Sequence, residues 1–148
     1  MADWAALESD LHPAPSFPVQ KPDGKRDWTE LQRQTTLLRL VHSVGPKILA
    51  YPNANAGKRN PMQARREGIM AGVFDLSFNA AIPFMTAHVE LKGYSKAGRA
   101  GTLSPQQIEW GNRMHALGKP VACFFCPYDA VEWLRMLGFP LARTRIAA

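Results

Sequence analysis

The chain has 148 residues, 46% of them hydrophobic, which gives one domain with a real core and leaves no length for two. Its 18 basic against 12 acidic residues set a formal charge of +6, which favours polyanions, nucleic acid first, although many soluble proteins are basic without binding DNA. No apolar run approaches the roughly 18 residues that mark a membrane helix. The acidic N-terminus lacks the apolar segment of a signal peptide, so a cytoplasmic protein with no membrane partner is expected.

Residues 1–26 carry Pro13, Pro15, Pro18 and Pro22 and read as an extended arm, with Trp4, Leu7 and Leu11 able to form a docking turn. A helix begins near Asp27 or Thr29, where both Asp27–Glu30 and Thr29–Gln32 offer cap chemistry, and Gly45-Pro46 stops it. Leu31, Leu38 and Val41 mark its apolar face, widened by Leu37, Leu40 and Val44. Lys47–Tyr51 reads as a strand and 52–57 as a loop, in which Asn53 and Asn55 shape the turn or touch phosphate. A short helix over Pro61–Glu67 follows, and Lys58, Arg59, Arg65 and Arg66 cluster around it.

Phe74, Leu76 and Phe78 alternate with Val73, Asp75 and Ser77, the period of a strand over 72–78, and a second strand runs from Phe84 to Lys92. The loop 93–102 has three glycines, Lys96 and Arg99, with Tyr94 available to stack on a base. Ser104, Pro105 and Gln107 fall at N-cap, N1 and N3 of the next helix, a capping box, and Gly118 ends that helix. Val121–Cys126 reads as the last core strand. Cys123 and Cys126 then point to opposite faces as unpaired thiols, which suits a reducing compartment. Asp129 to Leu137 forms the final helix and 139–148 a short basic tail. The order of elements predicts an α/β domain with a mixed central sheet over 27–138.

Glu90 and Lys92 share one face of their strand, and an antiparallel partner brings Asp75 beside them. Two carboxylates in one place repel unless a cation sits between them, and a bordering lysine suits phosphodiester hydrolysis. The four histidines are scattered without metal-ligand spacing; His88 shares the face of Glu90 and reads more readily as packed than as a base. On its own, Glu90-x-Lys92 is also the pattern of a cross-strand salt-bridge face.

Asp75 followed by Glu90-Leu91-Lys92 resembles the PD-(D/E)xK nuclease motif. Gly72-x-x-Asp75-Leu76, Val89–Lys92, Leu103–Gln107 and Trp110 together are similar to the VRR-NUC (virus-type replication-repair nuclease) domain over roughly residues 27–138. Where that family usually has proline before the aspartate, this chain has Phe74, a position that shapes the strand and holds no ligand. The resemblance implies a restriction-endonuclease-like αβββαβ core and a DNA endonuclease using Mg²⁺ or Mn²⁺. Asp75, Glu90, the backbone carbonyl of Leu91 and Glu30 would be metal ligands, Glu30 having a plainer reading as a helix cap. Lys92 would orient or help deprotonate the attacking water, and Gln107 would position Lys92 or that water. Lys58, Arg59, Arg65, Arg66, Lys96 and Arg99 would hold backbone phosphates of branched or flapped DNA. A homodimer resolving four-way junctions is expected, in a bacterial or phage-infected cell, on the footing of apolar residues outside the core: Trp4, Leu7, Leu11, Trp133, Met136, Leu137, Phe139 and Leu141. The alternative is a non-catalytic DNA-binding module that keeps the nuclease fold.

Overall fold

The computed structural model describes residues 13–53, 62, 66, 70–82 and 85–143. Its elements run α1 (Glu30–Val44), β1 (Leu49–Pro52), β2 (Leu76–Ala80), β3 (Met85–Leu91), α2 (Pro105–Ala116), β4 (Val121–Phe124) and α3 (Pro127–Met136). The four strands lie in the order β1-β2-β3-β4, with β1–β2 and β2–β3 antiparallel and β3–β4 parallel. The parallel step is made possible by α2, the crossover between β3 and β4. This mixed α/β arrangement is compatible with the expected αβββαβ core. None of the described helices is long and apolar enough to cross a membrane.

The sheet has a filled face on each side. Leu76, Phe78, Ala87, Val89, Leu91, Ala122 and Phe124 meet Leu37, Val41 and Val44 of α1 and Ala130, Val131 and Leu134 of α3. The opposite face is smaller: Val121 and Cys123 meet Phe17, Phe74, Trp110 and Met114, the last two from α2. Burial of a side chain such as Leu37, Leu76 or Leu91, each without solvent exposure, contributes about 1.5–3 kcal/mol.

Several local expectations are corrected. The buried stripe of α1 is Arg33, Leu37, Val41 and Val44, while Leu31 is 71% exposed. Phe74 does not continue the alternation of Leu76 and Phe78: it packs under α2, and β2 begins only at Leu76. The last strand ends at Phe124, and Cys126 is the N-cap of α3, which starts at Pro127 rather than Asp129. Both thiols are free.

The proline-rich stretch from residue 13 is extended, as its composition predicts, but it is built into the domain. Phe17 is buried, and Val19 bridges Cys123 in parallel through Gln20 N–H to Cys123 O (2.9 Å) and Cys123 N–H to Pro18 O (2.9 Å). Residues 1–12, with Trp4, Leu7 and Leu11, lie outside the described residues. Of the other apolar residues on which the two-copy expectation rested, Trp133, Leu137, Phe139 and Leu141 are used in the core, and Met136 stands 84% exposed.

Arg33 has no solvent exposure yet is fully engaged. Its guanidinium pairs with Asp23 at 2.7 Å and donates to the carbonyls of Phe125 (2.7 Å), Lys25 (2.7 Å) and Trp28 (2.9 Å). The ring of Trp28 stacks 4.9 Å from it. One side chain thereby ties the turn before α1 to the end of β4.

Candidate metal and active site

The site forms where β2 begins and β3 ends. The register that sets Leu76 opposite Val89 puts Asp75, one step before the ladder, opposite Glu90. Asp75 N–H donates to Glu90 Oε2 at 2.9 Å. This backbone is bent, and Asn53 holds the bend. The Asn53 N–H donates to Asp75 O (2.7 Å), and its side-chain amide donates to Phe74 O (2.8 Å) and Ser77 Oγ (2.8 Å). The sequence left Asn53 between shaping a turn and touching phosphate; the structure gives it the turn, and the turn is the one that carries Asp75.

Glu90 is 1% exposed and pinned on both oxygens. Its Oε1 accepts from Gln107 Nε2 at 2.6 Å and lies 3.0 Å from Lys92 Nζ. Lys92, buried two residues on along the same face, also donates to Gln107 Oε1 at 3.1 Å. Gln107 closes the capping box of α2 as well: Ser104 N–H donates to its Oε1 (2.9 Å), and its own N–H donates to Ser104 Oγ (3.2 Å). Cap and site share one amide, so the orientation of Gln107 is set before any ligand arrives.

Glu30 comes from the other layer. It is the first residue of α1, but Thr29 and Gln32 form the capping box there, so the cap does not need its carboxylate. Gly93 allows the approach: a Cβ at that position would lie 2.6 Å from Glu30 N. Gly72 does the same on the opposite side, with φ at 84° and a Cβ position only 2.2 Å from Gln106 O, which lets the strand leading to Asp75 pass the first turn of α2.

One carboxylate oxygen each from Glu30, Asp75 and Glu90 lie within 4.8 Å of one another. Asp75 Oδ2 is buried with no hydrogen-bond partner among the described residues. An orphaned carboxylate oxygen beside two further carboxylates is costly unless a cation completes it. The donors are all oxygen, the choice of hard cations, so the set could hold a divalent metal ion. The side chain of Leu91 is committed to the core.

The electrostatics agree. Burial, with the charges of Glu90 and Glu30 adding to it, pushes the Asp75 carboxyl up to about 7. Burial also raises Glu30, against the pull of Lys92. Burial alone would lower Lys92, but Glu90 and Glu30 outweigh it and hold the ammonium above its ordinary value. Cys123, beneath the site, is driven by burial and by Glu90 up to about 12 and stays an inert thiol.

The remaining sequence candidates are placed less centrally. His88 is packed, its ring edge-on to Trp110 at 5.2 Å, its Nδ1 2.9 Å from Ser77 Oγ, and burial lowers its basicity. Tyr94 is not free for a base: its hydroxyl accepts from Gly24 N–H at 2.7 Å and its ring packs on Phe125 at 6.0 Å. Lys96 and Arg99 are exposed on the turn that follows. Arg66 is exposed, and Lys58, Arg59 and Arg65 lie outside the described residues.

Comparison of the chain with protein-family models, with curated proteins and with solved structures finds no match. The site therefore stands on its own geometry.

That geometry has a measurable consequence. A carboxyl that titrates near 7 must lose its proton to accept a cation. Titration with Mn²⁺ at pH 6 is expected to release up to about one proton per ion and to bind up to tenfold more weakly per pH unit lowered below about 7. Calorimetry in two buffers of different ionisation enthalpy reads both quantities; affinity flat between pH 5 and 8 (roughly the span around that pKa) would remove Asp75 from the ligand set.

Proposed function

We propose that this protein is a divalent-metal-dependent DNA endonuclease of the VRR-NUC type, hydrolysing phosphodiester bonds in branched or flapped DNA. The reading rests on one observation above all: three carboxylates from three separate elements meet beside a buried lysine that Gln107 holds in place. A salt-bridge face needs one acid and one base; it does not need a third carboxylate, nor an orphaned oxygen that raises the free energy of the fold.

Asp75, Glu90 and Glu30 would hold Mg²⁺ or Mn²⁺, with the carbonyl of Leu91 as a further oxygen. Once bound, such an ion supplies Lewis acidity toward the phosphoryl oxygen and offsets the local negative charge. Lys92 carries its proton firmly, since Glu90 and Glu30 hold it charged. It therefore serves as a fixed donor that orients water and offsets charge growing on the phosphoryl oxygens, rather than as a base. Gln107 fixes the angle of that ammonium, and the buried Cys123 and Phe74 belong to the apolar cluster on this face of the sheet.

The test is a set of labelled linear, flapped and four-way DNAs incubated with purified protein in Mg²⁺, Mn²⁺ or EDTA. Cutting is expected only with a metal, leaving 5′-phosphate ends, and fastest on branched substrates. Tight binding without cutting under either metal would replace this reading by that of a non-catalytic DNA-binding module.

A further inference from the structure

A second surface lies on the helix that carries Glu30. Next to the start of α1 lies an open groove of about 1040 Å³, lined by Lys25, Arg26, Trp28 and Arg39, with Asp27 the one carboxylate among the described residues of its walls. The three cations are exposed. Lys25 Nζ stands 5.7 Å over the Trp28 ring, so its charge is presented on an aromatic floor. The turn that carries Lys96 and Arg99 abuts this wall: Gly98 faces Arg26, with 3.7 Å from its Cβ position to Arg26 Cδ, and Tyr94 holds Gly24. The turn before α1 is anchored from below by Arg33, through the Lys25 and Trp28 carbonyls, and the same guanidinium lies 5.8 Å over the Tyr94 ring.

We infer that this groove is a phosphate-backbone track for the nucleic-acid substrate, running from Lys25 and Arg26 along the outer face of α1 to Arg39. The inference rests on the nuclease reading and adds where the substrate lies. Glu30 opens α1 and belongs to the cluster, and Lys25 and Arg26 precede it by one short turn. Gln32, Thr35 and Arg39 line the groove from one face of α1, and Arg39 lies roughly 10 Å beyond Gln32 along the helix axis at about 1.5 Å per residue. That span matches about three steps of duplex at about 3.4 Å each. The cations would meet phosphate charge and not base edges, so they grip DNA of any sequence.

The triple variant Lys25→Gln, Arg26→Gln, Arg39→Gln isolates the groove, because none of the three touches the carboxylates. Binding of a labelled flapped DNA is followed by anisotropy in EDTA across a range of salt. The slope of log affinity against log salt is expected to become shallower by about 2.7, or about 0.9 for each phosphate deprived of its cation. Arg113→Gln with Lys119→Gln, on and after α2 over the other face of the sheet, is expected to leave it unchanged. Arg39→Glu alone, on an exposed helix surface, is expected to make the slope shallower by about 0.9 and serves as the reading if the triple variant melts early. An unchanged slope in the triple variant, or an equal loss in the α2 pair, overturns the groove. Wild-type cleavage of the same DNA with Mn²⁺ is scored separately. Cutting together with an unchanged slope removes the groove and leaves the nuclease; wild-type protein that neither binds nor cuts removes both.

Discussion

Replacing Asp75 by asparagine is expected to abolish metal-dependent cleavage while making the metal-free protein more stable at pH 8. The two effects share one cause. The folded protein holds the Asp75 carboxyl at about 7, far above the 3.8 of a free aspartate. Between those values the folded state binds the extra proton, so unfolding becomes easier as pH rises from about 4 to about 7. Above about 7 the full cost is present, and asparagine removes it. After discounting for the water that reaches the half-open site, the gain is about 2 kcal/mol, or roughly 4–8 °C in the melting midpoint. It fades as pH falls toward 4 and vanishes below the unfolded value of 3.8, where both states become protonated. Activity moves the other way: loss of a ligand oxygen costs about 10³-fold or more. Melting curves across pH and single-turnover cleavage read the two sides. A variant that keeps cutting, or one destabilised at pH 8, contradicts the role given to this residue.

Replacing Arg33 by leucine is expected to give the largest loss of stability in the protein, about 3–5 kcal/mol and roughly 10–15 °C. Leucine fills part of the volume but leaves three carbonyls without their donor and Asp23 without its partner. Burial raises Asp23, but the hydrogen bond and charge of Arg33 outweigh it and hold that carboxyl below its ordinary value. A depressed carboxyl stabilises the fold above its unfolded pKa and loses that contribution as pH falls through the folded one. Asp23 and Asp75 thus bend stability in opposite directions, Asp23 toward acid and Asp75 toward neutral pH. Urea denaturation of the variant decides the matter; a loss under about 1 kcal/mol would mean that water replaces the guanidinium without cost.

The face of the site was legible in strand parity alone. Glu90 and Lys92 are two apart, and an antiparallel neighbour sets Asp75 against them, which is the observed register. The cap at Gln107 was legible too, since Ser104-x-x-Gln107 is a local signal, but its place beside Glu90 and Lys92 was implied only by the family resemblance. What could not be read comes from tertiary contacts without local signature. The phase slip at Phe74 depends on Asn53, 21 residues earlier, taking up the carbonyls of the bend. Arg33 sits at helical spacing with Leu37 and Val41, but an arginine in such a stripe is ordinarily a break in it, and only Asp23, the carbonyls of the turn before α1 and the distant carbonyl of Phe125 make it core. The prolines of 13–26 correctly exclude a helix, yet they say nothing of Phe17 filling the space under α2. A Cβ at Gly111 would lie 2.3 Å from that ring.

The site also has an order of appearance. Glu30 is made early in synthesis, Asp75 and Glu90 near the middle, the amide that orients Lys92 at residue 107, and the strand that pairs beside Glu90 only at residues 121–124. No two of these are neighbours in sequence, so loop closure must bring them together. A chain released before residue 107, or one whose sheet has not yet zipped, has its carboxylates but not their geometry. If the proposed nuclease activity holds, aborted translation products and folding intermediates would lack the assembled site that cuts DNA.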